Sequence, residues 1–262
     1  MKKILVSMLA VAAMVACSNE DTLQQAELNA PIVLDSFVGN STRANDVDNS
    51  SIKNFGFGVY ASVTNGNGAS GLILENEAVT YTNAWGYENT QYWVPGNTYN
   101  FTAIAPTVGA KWAYTPANGT AHNGVIAFDN RAAEANQDLV FAYANRVVES
   151  AYTATPEAVK FTFDHMLSRV RFSFANAWSS AGNIELKVEN VCITDAYANG
   201  TLEVNGGVPA AAWTPAEKTL DVEFGGAAET IIEGAKQSTE HFYLIPNSES
   251  TRYTVTFDVK LY

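Results

Sequence analysis

Beyond Asn54 apolar residues recur at every second position, and no window of a dozen residues carries the stripe of an amphipathic helix. Phe55, Phe57, Val59, Ala61 and Val63 alternate with Asn54, Gly56, Gly58, Tyr60 and Ser62, and Asn65-Gly66-Asn67-Gly68 follows with residues that tolerate positive φ. Tyr99, Phe101, Ala103 and Ala105 form a second set, closed by Pro106. Val159, Phe161 and Phe163 form a third, with Lys160, Thr162 and Asp164 on the opposite face. Val170, Phe172 and Phe174, then Ile184, Leu186 and Val188, then Leu220, Val222 and Phe224 repeat the pattern, and Tyr253, Val255, Phe257, Val259 and Leu261 carry it to the end. The pattern predicts an all-β chain of half-buried antiparallel strands, each burying one face. About 210 ordered residues suit two β-sandwiches, and the boundary is expected near His165, giving segments 44–165 and 166–262. No tandem repeat of fixed period stands out.

The N-terminus reads differently. Residues 1–16 carry Lys2 and Lys3, an apolar run from Ile4 and small residues before Cys17, the layout of a signal peptide. Met14-Val15-Ala16-Cys17 resembles the lipobox of bacterial lipoproteins, which places cleavage between Ala16 and Cys17 and a lipid on Cys17. Residues 17–43 form a polar leader with one apolar segment, Pro31 to Val38, long enough for a single strand. Gly39-Asn40-Ser41-Thr42-Arg43-Ala44 follows, a loop whose lone arginine a trypsin-like protease could reach.

Composition narrows the functions. With 262 residues, 47% hydrophobic and 16% charged, the chain has ample material for a core. Lys+Arg 15 against Asp+Glu 27 gives a net charge of −12, and loss of Lys2 and Lys3 leaves 13 basic against 27 acidic groups, or −14. Such a chain repels the phosphate backbone of a nucleic acid. Cys17 and Cys192 cannot make a disulfide framework, and Cys192 reads as an inert strand cysteine.

No GxSxG elbow, HExxH helix, P-loop or paired-cysteine zinc pattern is present, and nothing in the sequence calls for an enzyme, a cofactor or a metal. His122, His165 and His241 stand far apart, and His165 reads as a hydrogen-bonded corner residue between strands. Asp129, Glu134 and Asp138 match no calcium loop and read as a solvated loop. Trp85, Tyr87, Tyr92 and Trp93 could stack on sugar rings or close one end of a sandwich.

Several segments together resemble the fimbrillins, subunits of the type V pili of Bacteroides-type bacteria. They are Ser41-Thr42-Arg43-Ala44, Asn54-Phe55-Gly56-Phe57-Gly58-Val59-Tyr60, and Tyr92-Trp93-Val94-Pro95-Gly96 leading into the strand from Tyr99 to Pro106. Gln137 to Ala142, Val159 to Val170 and Phe242-Tyr243-Leu244-Ile245-Pro246 continue the series in order.

The resemblance implies two transthyretin-like (Greek-key) β-sandwich domains in tandem. It implies a lipoprotein precursor at the outer membrane, cut between Arg43 and Ala44, whose first strand then leaves. Ile32, Val33, Leu34 and Phe37 would uncover a groove that a strand from the next subunit fills. The implied partners are other fimbrial subunits, the membrane through the lipid, and a host protein or glycan receptor. The implied location is the cell-surface fimbria.

Family members continue past the strand that ends at Leu261-Tyr262 into donor strands. The chain therefore reads as a fragment, as a tip subunit that only accepts, or as a subunit that donates its terminal strand. The competing function is a non-polymerising surface lipoprotein that binds glycans through Trp85, Tyr87, Tyr92 and Trp93.

Overall fold

The computed structural model describes residues 30–38, 47–130, 136–150, 156–177, 185–216, 220–225, 230–231, 236–246 and 253–262. The expected signal peptide, Cys17 and the Arg43–Ala44 bond lie outside them. The first part of the described chain runs β1 (Leu34–Val38), α1 (Ile52–Phe55), β2 (Phe57–Thr64), β3 (Ser70–Tyr81), β4 (Trp85–Gly86), β5 (Thr98–Ala105), β6 (Trp112–Ala117), β7 (Thr120–Asp129), β8 (Val140–Val147) and β9 (Val159–His165). It continues with β10 (Ser168–Val170), β11 (Ser173–Ala175), β12 (Leu186–Ala196), β13 (Asn199–Asn205), β14 (Val208–Pro209) and β15 (Thr214–Pro215). Last come β16 (Leu220–Phe224), β17 (Thr230–Ile231), β18 (Lys236–Ser238), β19 (Phe242–Leu244) and β20 (Thr254–Leu261). Among the described residues the protein is all-β apart from the single turn of α1.

Seven strands form the main sheet in the order β1-β9-β8-β5-β2-β3-β4. Its pairings are antiparallel except at one edge, where β1 runs parallel to β9. The sheet curls until its ends approach: Phe57 of β2 meets Trp85 of β4 at 4.8 Å and Phe161 and Phe163 of β9 at 5.6 and 5.5 Å. Inside the curl lies a first core built from one face of the alternating strands: Phe57, Val59 and Ala61 of β2, and Phe101, Ala103 and Ala105 of β5.

The sequence pattern assigned the other face to solvent, and the structure buries it too. Tyr60 of β2, Ile104 of β5 and Phe141 of β8 pack against Trp112, Tyr114, Ile126 and Phe128 in a second core. A five-stranded sheet, β14-β13-β7-β6 with β15 on β13, covers that face. β13 joins it by pairing Asn199–Val204 with Gly124–Asp129 of β7, so one sheet contains strands from both sides of His165.

A third core, with Val188, Val191, Ile193, Val222, Phe224 and Leu244 at its centre, lies beneath β12. β12 pairs with β16 and β17 along one edge and β20 along the other. β20 has the cleanest alternation in the sequence, yet Val255, Phe257, Val259 and Leu261 are 37 to 61% exposed. The reason is its place: among the described strands it pairs with β12 alone, so its other edge is open, and Phe257 meets Phe174 at 5.4 Å.

Candidate functional site

Strict alternation in an extended segment sends even-numbered residues of the leader to one side and odd-numbered ones to the other. Ala30, Ile32, Leu34 and Val38 are accordingly buried in the first core, with Val38 wholly inaccessible. Val33 and Phe37 stand 51% and 50% exposed. The expectation that Ile32, Val33, Leu34 and Phe37 together cover the groove is thus corrected: two of the four point inward, and Ala30, Ser36 and Val38 complete the inward row.

The leader lies in parallel register on β9, with Leu34 opposite Val159, Ser36 opposite Phe161 and Val38 opposite Phe163. Val159 N–H donates to the Val33 carbonyl at 2.8 Å. The other edge is gripped at both ends. At the start, Trp93 N–H donates to the Ala30 carbonyl at 3.0 Å, Ile32 N–H to the Gln91 carbonyl at 2.8 Å, and the Tyr87 hydroxyl to the Ile32 carbonyl at 2.8 Å. At the far end the Asn49 side-chain amide accepts from Val38 N–H at 2.7 Å and donates to the Val38 carbonyl at 3.1 Å. Fully buried Phe57, Phe101, Phe161 and Phe163 belong to the core the leader covers.

The chain downstream of the leader is fastened separately. Buried Asp138 accepts from Val47 N–H at 3.1 Å, from Leu139 N–H at 2.8 Å and lies 2.8 Å from Nδ1 of His165. The sequence reading placed Asp138 in a solvated loop with Asp129 and Glu134. Instead it is a buried anchor, because its carboxylate is the acceptor for the main chain at Val47. Glu134 lies outside the described residues. His165 ends β9 as the hydrogen-bonded corner the sequence suggested.

Asp48 accepts from Ser50 and Ser51 ahead of α1, and these bonds, led by the Ser51 amide, hold its carboxyl at about 2. Asp138 and Asp48 thus fasten the chain from Val47 onward through groups outside the leader, while Val47 and Ile52 share the leader's core and Asn49 bonds Val38.

The four aromatic residues proposed for sugar stacking do not form one exposed platform. Trp93 is fully buried, edge-on to Tyr99 at 4.9 Å and Phe101 at 6.1 Å. Tyr87 spends its hydroxyl on Ile32, and half-buried Trp85 packs against Phe57 and, at 5.2 Å, Tyr81. Tyr92 stands in solvent, 51% exposed. Burial, with Asp221 and Glu223 nearby, pushes the Cys192 thiol up, away from thiolate chemistry. Among the described residues no group of three or more His, Cys, Asp or Glu side chains is placed to hold a metal ion, and no helix is long and apolar enough to cross a membrane.

A family model described as fimbrillin-like matches residues 42–261. The chain belongs to the fimbrillin-like family. It is 26% identical over 202 residues to the fimbrium subunit Fim1C of Phocaeicola vulgatus, a match covering 71% of this chain and 51% of that one. The fimbrillin-like chain thus spans about half the length of this curated relative. Among solved structures, it is similar to a candidate cell-adhesion protein of Bacteroides ovatus, with 17% identity, a TM-score of 0.47 and coverage of 87% of this chain and 86% of that one. It is also similar to the fimbrial anchor protein Mfa2 of Porphyromonas gingivalis, with 10% identity, a TM-score of 0.41 and coverage of 88% and 77%.

Proposed function

We propose that this chain is a non-enzymatic structural or adhesive subunit of a surface fimbria, exported as a lipoprotein and assembled by protease-triggered donor-strand exchange. Residues 1–16 are the signal peptide, Cys17 carries the lipid, and cleavage between Arg43 and Ala44 frees the leader. Two transthyretin-like sandwiches in tandem form the body, divided near His165 in sequence, with β13 from the second segment joining a sheet of the first. The observation that supports this reading is the seated leader: one edge strand, joined to the body through the segment that holds Arg43, fills the mouth of an aromatic core.

Strand exchange follows from ordinary energetics. While the backbone is intact the leader is tethered, and its effective concentration at the groove is roughly millimolar or higher. Cleavage removes that advantage, and a free strand with the same apolar spacing then competes on equal terms. β1 pairs with β9 in parallel, the slightly weaker of the two modes, so an antiparallel newcomer gains on the resident. A strand donated from one subunit into the groove of the next makes a head-to-tail contact, which extends as a filament. The partners are therefore other fimbrial subunits, together with the outer membrane through the lipid before cleavage and a host protein or glycan receptor afterwards.

The reading is tested on material taken from the surface of the native host by intact-mass measurement. Fimbrial chains are expected to begin at Ala44 and to lack lipid. A population that uniformly keeps an acylated Cys17 contradicts the exchange mechanism and leaves an anchored lipoprotein.

A further inference from the structure

The inward row of the leader is Ile32, Leu34, Ser36 and Val38, so one hydroxyl interrupts the aliphatic side chains. Ser36 sits opposite fully buried Phe161, and its Oγ is buried with no hydrogen-bond partner. Its amide turns to the carboxylate of Asp35, at 2.8 Å. Trp93, in the same core, likewise has a buried Nε1 without a partner. A cleft of about 520 Å³ runs beside Val33 to Ser36, bounded across from the strand by Lys53, Tyr81 and Trp85. The grips on the leader's outer edge act near Ile32 and at Val38. Between them, from Leu34 to Ser36, no described strand pairs with that edge.

A well-seated core strand would carry an apolar side chain at Ser36, because burying a hydroxyl without a partner weakens the folded state relative to an apolar group of similar size. Along β9 the leader is paired throughout, but its outer edge is held only near its ends among the described residues. We propose that Ser36 is a built-in weak point that sets how readily the leader strand leaves its groove. This rests on the strand-exchange reading above. It makes the leader good enough to shield the core before cleavage and poor enough to yield afterwards.

The test uses the full uncut chain and its Ser36→Ala and Ser36→Val variants. Hydrogen exchange of the β1 amides is measured first, then the rate at which the leader separates after limited trypsin treatment, followed by mass. Both variants are expected to slow β1 amide exchange and leader release by roughly tenfold, with β12 amides unchanged. Ser36→Ala, which adds no volume, decides if the valine is too large for its site. Unchanged or faster β1 exchange in Ser36→Ala overturns the proposal. A wild-type chain that releases its leader without forming polymer defeats the exchange reading instead, and the amide measurement on uncut protein still decides for or against Ser36.

Discussion

Trp93→Ala is expected to cost about 3–5 kcal/mol of stability, the range for removing a large aromatic side chain from a packed core. Trp93 is wholly buried, meets Tyr99 and Phe101 edge-on, and through its backbone holds the Ala30 carbonyl of the leader. The loss combines the transfer of the indole with a cavity that the neighbouring strands cannot close without abandoning their ladder. Chemical denaturation of the uncut chain measures it. Tyr92→Ala, one residue away but solvent-exposed, is expected to change stability by about 0.5 kcal/mol or less. A Trp93→Ala protein of wild-type stability that had lost affinity for a glycan would reverse the assignment and favour a sugar-stacking surface.

Leu34→Asp is expected to unseat the leader while leaving the body folded. Leu34 is buried opposite Val159, and a carboxylate there would be driven into the apolar core that the leader covers. An unpaired buried charge costs several kcal/mol, but the chain escapes the full penalty by letting the strand detach. The cost is capped by whatever docking the leader contributes. Proteolysis of the leader is therefore expected to accelerate at least tenfold, and the uncut protein to associate without any cleavage at Arg43. Phe37→Asp, on the outward row, is expected to behave like wild type in both assays. Equal effects at Leu34 and Phe37 would contradict the in-and-out assignment of the strand. Size-exclusion chromatography and timed proteolysis read both outcomes.

The strands themselves were legible because period two is a direct imprint of one buried face. β2, β5 and β9 fall where Phe57, Phe101 and Phe161 with their alternating neighbours put them. The second buried face was not legible, because it mixes Ile104 and Phe141 with polar residues such as Ser62, Asn100 and Thr102 that look solvent-facing. Ser62 accepts from Ala121 N–H, Thr102 donates to the Ala121 carbonyl, and Tyr143 donates to the Asn100 side chain. Their polar groups are satisfied inside the protein, which composition cannot reveal.

The leader shows a different kind of failure. Choosing its inward residues by hydrophobicity selected Val33 and Phe37, whereas parity alone would have selected Ser36 and Val38 and exposed the polar interruption. Pairings that depend on distant partners, such as β13 with β7 or Asp138 with Val47, leave no local mark in the sequence.

The central claim is that the leader is a removable occupant whose departure opens a groove for another subunit. Its most direct test is size-exclusion chromatography of the purified precursor before and after limited trypsin treatment, with an Arg43→Ala chain treated in parallel. The wild-type chain is expected to be monomeric when uncut and to form a ladder of higher-order species once cut after Arg43, while Arg43→Ala stays monomeric throughout. A wild-type chain that is cut at Arg43, sheds residues 17–43 and remains monomeric at every concentration contradicts the account.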